Sequence, residues 1–170
     1  MNAKPTYETQ RIDHLGIVSR ICQEISLTEK IDALVKTSER KISSGKGTQA
    51  MILNALGFVG RALYLMPDYL HNKPVDLLID PELTADDFND DTLGRCLYDL
   101  YAAGVTEVFY RVASHALQVY GIRSRYVHLD SSSFHLHGAY DADEPEREAI
   151  SVTYGYSKDH RPDLKQVVLQ

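Results

Sequence analysis

Apolar residues recur at helical spacing through the first two thirds of the chain. Ile12, Leu15, Val18, Ile21, Cys22 and Ile25 fall three or four apart, the spacing of one buried helix face. Ser26 with Glu29 has the form of a capping box, opening a second helix that carries Ile31, Leu34 and Val35 inward. Charged and small residues from Lys36 to Gly47 predict a loop, with Ser43 or Ser44 as the next cap. The strongest periodic run comes next: Ala50, Met51, Leu53, Leu56, Phe58, Val59, Ala62, Leu63 and Leu65. It predicts a helix that stops at Pro67. Pro74 opens a short helix, and the acids of Asp86 to Asp91 lie across two helix starts. A helix dipole favours negative charge there, so these acids are expected to cap helices rather than to bind a cation. Gly104 closes the following helix, Thr106 caps the next, and Gly121 ends it.

After Arg125 the period changes from helical to two. Along Tyr126 to Phe134, Val127, Leu129 and Ser131 point to one face and His128, Asp130 and Ser132 to the other, the pattern of a strand. The acidic, proline-containing stretch Asp141 to Glu148 reads as a hairpin loop before a second strand, Ile150 to Tyr156. A third strand starts at Leu164 and runs into Val167-Val168-Leu169, where the sequence stops at Gln170. A chain ending in mid-strand reads as cut short, with an open apolar edge on its third strand. The expected fold class is therefore α+β. An all-helical domain over residues 1–121 precedes the first three strands of a second domain over residues 122–170.

A 44% hydrophobic and 25% charged composition is that of an ordinary soluble globular chain. No run approaches the roughly 18 apolar residues of a membrane span, and Met1 to Gln10 has no signal-peptide core. A cytoplasmic location is expected, with no membrane partner. Cys22 and Cys96 both sit in apolar helical patterns and are expected to be buried free thiols.

The net charge of −6 is unevenly spread. Lys36, Arg40, Lys41, Lys46, Arg61 and Lys73 face only Glu39 and Asp68 within residues 36–73, whereas residues 74–99 hold eight acids against Arg95. Such asymmetry can make a basic face on an acidic protein. Two short helices around a basic loop fit either a helix-turn-helix unit or a plain helical bundle. Gly45-Lys46-Gly47-Thr48 is no phosphate loop, because Arg40 and Gly47 occupy the places that need glycine and Ser or Thr.

Asp130 is the residue on which the chemistry turns. An acid in an otherwise buried strand is costly unless paired, hydrogen-bonded or metal-bound. Taken alone, its spacing favours a partly exposed strand-end acid capped by the nearby Ser131, Ser132 and Ser133. His128, His135 and His137 lack the further ligands a zinc site needs.

The order of a helical region, then Leu129-Asp130-Ser131-Ser132-Ser133-Phe134, then Tyr154 through Gln166 with its Gly-Tyr-Ser-Lys-Asp-His-Arg-Pro-Asp-Leu-Lys-Gln run, resembles insertion-sequence transposases of the DDE type. More narrowly, it resembles the branch of the IS-four superfamily named after insertion sequence sixteen-thirty-four. Those enzymes begin with a similar helical domain containing Leu-Asn-x-Leu-Gly-Phe-Val, here Leu53 to Val59.

The resemblance implies an RNase-H-like core, incomplete here, in which Asp130 is the first of three catalytic, metal-binding acids. Such acids hold two Mg²⁺ or Mn²⁺ ions roughly 3.5–4 Å apart for phosphodiester displacement. It also implies terminal inverted-repeat DNA as partner and a homodimer that brings two ends together. Lys36, Arg40, Lys41, Lys46 and Arg61, with Lys158 and Arg161 in the later loop, are then the expected DNA contacts. The family's second Asp and its Glu lie beyond the third strand; Asp159 and Asp163 come too early to replace them. The expectation is that this polypeptide alone does not cleave DNA. The alternative is a non-catalytic DNA-binding or interaction protein derived from a truncated transposase.

Overall fold

The computed structural model describes residues 9–35, 40–123, 132–136, 153–154, 163 and 165–169. The chain divides into two compact units, Met1–Arg123 and Ser124–Gln170.

The first unit is helical. It runs α1 (Leu15–Glu24), α2 (Leu27–Asp32), α3 (Ser44–Ala55), α4 (Met66–Leu70), α5 (Val75–Leu78), α6 (Asp90–Ala103) and α7 (Val105–Val119), with single 3₁₀ turns at Leu63–Leu65 and Ala85–Phe88. Helix α3 lies at the middle and packs against α1, α2 and α6. Its Ala50 and Leu53 are wholly buried. On one side Ala50 joins Ile42, Met66, Leu70, Phe88, Leu93 and Cys96 in the largest apolar cluster. A second cluster gathers Cys22, Leu27, Ile31, Val35 and Val108 from α1, α2 and α7. Both cysteines are free and buried, and burial raises both thiols above their ordinary range.

The Gly-Lys-Gly sequence that fails as a phosphate loop has a packing role. It does not lie in the expected loop but forms the first turn of α3, capped by Ser43, whose Oγ accepts from the Lys46 N–H at 3.2 Å. A Cβ at Gly45 would stand 2.5 Å from the Thr28 carbonyl oxygen, and one at Gly47 2.5 Å from Cys96 Sγ. The helix backbone therefore touches α2 on one flank and α6 on the other. Buried polar groups complete the join. The Leu78 carbonyl, at the end of α5, accepts from Ser19 Oγ at 2.6 Å and from Gln49 Nε2 at 2.8 Å. Ser19 and Gln49 are 2% and 4% exposed, so this one acceptor satisfies two donors that would be costly to leave unpaired.

Several sequence expectations need correction. Ser26 does not cap α2 through its side chain: it turns in the left-handed region at φ 50°, where its Oγ makes no cap bond. That conformation reverses the chain within two residues while Leu27 and Ile31 are buried. The helix expected to reach Leu65 ends at Ala55, and Pro67 lies in the first turn of α4 instead of ending a helix. Proline lacks only an N–H that a first turn leaves unpaired anyway. Thr106 is inside α7; Gly104, at φ 86°, both closes α6 and precedes α7. Residues 33–43 separate α2 from α3, more than the 3–4-residue turn of a helix-turn-helix.

Other expectations hold. Asn89 caps α6 by accepting from Thr92 N–H, and Asp87 accepts from both the amide and the hydroxyl of Thr84. Gly121, at φ 62°, ends α7: its N–H bonds the Gln118 carbonyl and that of Ile122 bonds Leu117, the Schellman arrangement.

In the second unit three strands, β1 (Ser132–Leu136), β2 (Thr153–Tyr154) and β3 (Lys165–Leu169), form an antiparallel sheet in the order β1-β3-β2. The third strand pairs with β1 from Ser132↔Leu169 to Leu136↔Lys165, and with β2 at Gln166 and Lys165. The third strand thus lies between the two that precede it, paired along its whole length with β1 and, among the described residues, only at Lys165 and Gln166 with β2. The 141–148 hairpin loop and the Tyr126-to-Ser131 part of the expected first strand lie outside the described residues.

Two glycines within helices should respond oppositely to alanine. Gly94, in α6, has nothing within 4 Å of a new Cβ, so Gly94→Ala should stabilise the unit by up to ~1 kcal/mol through helix propensity. Gly45→Ala gains the same propensity but drives a methyl into backbone, and should be net destabilising by about 1–2 kcal/mol. Urea denaturation of both variants checks this; a stabilised Gly45→Ala would refute the close packing.

Candidate nucleic-acid interface

The break after α3 forms the wall of a cleft. Asn54, in the last turn of α3, captures the chain as it returns: its Nδ2 donates to the Arg61 carbonyl at 2.6 Å, and its Oδ1 accepts from Arg61 N–H at 2.8 Å. A side-chain amide thus pairs with a backbone amide and closes residues 55–60 into a loop. Two further bonds fix it. His14 Nε2 bonds the Leu56 carbonyl at 2.5 Å, and the Tyr69 hydroxyl donates to the Leu53 carbonyl at 2.9 Å. Since a carbonyl can only accept, His14 carries its proton on Nε2. Its Nδ1 is buried without a partner among the described residues. Gly57 is required here, because a Cβ would collide with the Tyr69 hydroxyl.

The loop so held presents Phe58, which is 80% exposed, with Val59 beside it. The His14 ring meets Phe58 at a centroid distance of 4.5 Å and an interplanar angle of 60°. Beneath the ring opens a cleft of about 320 Å³, bordered by Arg11, Asp13, Arg61, Asp68 and Lys73. Lys73 is 9% exposed, with the Asp13 carboxylate at 3.7 Å and the Tyr69 ring centroid at 5.4 Å. Burial and then the Asp13 charge raise the Tyr69 phenol, so it stays protonated as the donor to Leu53. The main-chain N–H of Arg11 bonds the Asn72 carbonyl at 2.8 Å, fixing the α1 approach segment to the end of α4. Among the described residues neither the Arg11 nor the Arg61 guanidinium makes an ion pair. Two unpaired guanidiniums, a sunken ammonium and an exposed ring make a surface able to take an anion joined to a flat group.

The other expected DNA contacts are placed differently. Arg40 pairs with Asp99, which also accepts from Ser44 Oγ at 2.8 Å. Lys41 meets both oxygens of Asp87, at 2.7 and 2.8 Å, and Lys46 meets Asp80 at 2.8 Å. The basic stretch and the acidic stretch of the sequence thus neutralise each other inside one unit. Arg61 alone of the described candidates borders the cleft. Lys36, Asp130, Lys158 and Arg161 lie outside the described residues, as do His128, His137 and Asp159. Among the described residues no group of three His, Cys, Asp or Glu side chains is placed to hold a metal ion.

Sequence reasoning missed Arg11, His14 and Phe58, and counted Lys73 only as charge. The available signal was the pair Gly57 and Gly60 interrupting an apolar run, since glycines inside a helical pattern weaken it.

The family described as a domain of unknown function (DUF4277) matches residues 7–114. No curated protein and no solved structure matches the chain.

The internal ion pairs make the unit acid-sensitive. Lys46, with the Glu82 amide, holds the Asp80 carboxyl below the usual carboxylate range. At Asp87 burial acts upward, but the Lys41 and Thr84 bonds outweigh it and the net shift is down. A depressed folded-state value adds stability that is complete above the unfolded value of ~3.9 and is lost as pH falls through the folded one. The urea midpoint should therefore drop between about pH 5 and pH 2, and less steeply in an Asp80→Asn/Asp87→Asn double variant. Equal slopes would show that these pairs do not carry the effect.

Proposed function

Since the chain belongs to the DUF4277 family over residues 7–114, we propose that this family's helical unit is the DNA-holding part of a DDE-type insertion-sequence transposase, of which the chain is the N-terminal portion. The observation that carries the reading is local. Gly57, Phe58 and Val59, the end of the Leu53-to-Val59 stretch that resembles transposases in this unit, line the cleft where Arg11 and Arg61 stand without an ion pair among the described residues. Unpaired guanidiniums are suited to phosphate, which they bind in bidentate fashion.

On this reading the strands of the second unit open an RNase-H-like core, and Asp130 is its first acid. A hard carboxylate oxygen suits Mg²⁺ or Mn²⁺. When bound by a full acid set, the ions supply Lewis-acid stabilisation of a phosphodiester displacement. One carboxylate does not make such a set, so no catalytic step is assigned to this chain's own residues. Its helical unit binds and positions DNA. Pairing of two copies on two DNA ends belongs to the same proposal.

A second reading has its own support. Arg40, Lys41 and Lys46 are neutralised by Asp99, Asp87 and Asp80, which favours a helical protein-interaction module.

Fluorescence anisotropy with a duplex carrying the inverted repeat that flanks the reading frame separates the two. Affinity should fall with salt, with a slope of about −0.9 per phosphate contacted. An Arg11→Ala/Arg61→Ala double variant should bind on the order of tenfold more weakly, with a slope shallower by about 1–2. Lys41→Ala and Lys46→Ala should change affinity by less than about twofold. Salt-independent binding, or none, would leave the interaction module as the function.

A further inference from the structure

We propose that the cleft beneath Phe58 takes one unpaired nucleotide of single-stranded DNA, with the base stacked on the Phe58 ring and its phosphate held by Arg11 and Arg61. The proposal rests on the DNA-holding reading above and names the form of DNA that the site selects.

The first argument is size. A cleft of about 320 Å³ is at the small end of ligand pockets and cannot enclose a duplex, whose major groove alone is roughly 12 Å wide. One base with its sugar and phosphate is matched to that scale.

The second argument is the ring. An 80% exposed phenylalanine contributes nothing to the core, yet the loop that carries it is closed at its ends, held within at Leu56 and led into by an anchored last turn of α3. Asn54 pairs with Arg61, His14 with Leu56, and Tyr69 with Leu53. A rigid aromatic surface binds a flat partner without first losing conformational freedom. Stacking on aromatic rings beside cations that follow the backbone is the general chemistry of single-strand recognition.

The third argument is the mixture of charge. Asp13 and Asp68 border the cleft with Arg11, Arg61 and Lys73. For a bare polyanion they would be repulsive, but carboxylates accept hydrogen bonds from the exocyclic amino groups of cytosine and adenine. An Asp68 carboxylate in the cleft therefore favours bases that carry an amino group over thymine.

The chain contains no tryptophan, so Phe58→Trp places a single indole on the platform. Oligo-dC and oligo-dA should quench its emission, with oligo-dT weaker and inorganic phosphate without effect. In anisotropy, a duplex with a short single-stranded overhang should bind about 5- to 50-fold more tightly than the same duplex with blunt ends. Phe58→Ala should abolish that advantage and leave the thermal melt unchanged, since the ring is outside the core. Asp68→Asn should narrow the preference for dC over dT.

Equal binding of blunt and overhang duplexes, with Phe58→Ala silent, would overturn the single-strand proposal while leaving the DNA-holding reading intact. Absence of binding to any DNA would overturn both. Loss of self-association in Phe58→Ala, with DNA affinity unchanged, would identify the loop as a protein contact and overturn the proposal as well.

Discussion

The closeness of α3 to its neighbours is the constraint on which the helical unit depends. Without side chains at Gly45 and Gly47, the helix backbone lies directly on Thr28 and Cys96. That approach brings Gln49 within reach of the Leu78 carbonyl, Ser44 within reach of Asp99 and Lys46 within reach of Asp80. A glycine within a helix costs roughly 1 kcal/mol relative to alanine. Here two such costs are offset by packing and by buried hydrogen bonds that a wider separation would break.

Charge follows from the same geometry. The basic stretch of residues 36–73 and the acidic stretch of 74–99 are complementary halves of one surface, joined by Arg40–Asp99, Lys41–Asp87, Lys46–Asp80 and the His71–Asp86 contact at 3.5 Å. Segregation of charge along a sequence is consistent with either an external polyanion or an internal partner. What distinguishes Arg11 and Arg61 is not their position in the sequence but that they border one cleft without an ion pair among the described residues.

Much of the fold was legible. Periodicity located α1, α2, α5, α6 and α7, and cap chemistry marked Ser43, Gly104 and Gly121 correctly because those signals are local, while Ser26 and Thr106, with the same local signal, do not cap. The site was legible only at Arg61. Leu56, Phe58 and Val59 continue an apolar helical pattern, and only the tertiary capture of Arg61 by Asn54 shows that the helix has already ended. The meeting of Arg11 and Lys73, far apart in sequence, depends on the Arg11–Asn72 main-chain bond, which no residue pattern encodes. The Cys22 and Cys96 thiols were correctly read as buried because apolar surroundings alone decide that. In the second unit Leu129, Asp130, Ser131 and most of the run from Gly155 to Leu164, which carry the resemblance to transposases, lie outside the described residues, so the helical unit supplies the structural argument.

The long-range bonds of the first unit also set an order of events during protein synthesis. Ser19 waits for Leu78, Lys41 for Asp87 and Arg40 for Asp99, separations of 59, 46 and 59 residues. A chain growing at ~5–20 residues per second spends several seconds with Ser19, Arg40 and Lys41 made but their partners still to come. The nascent helices remain exposed to chaperones and proteases until α6 has left the ribosome.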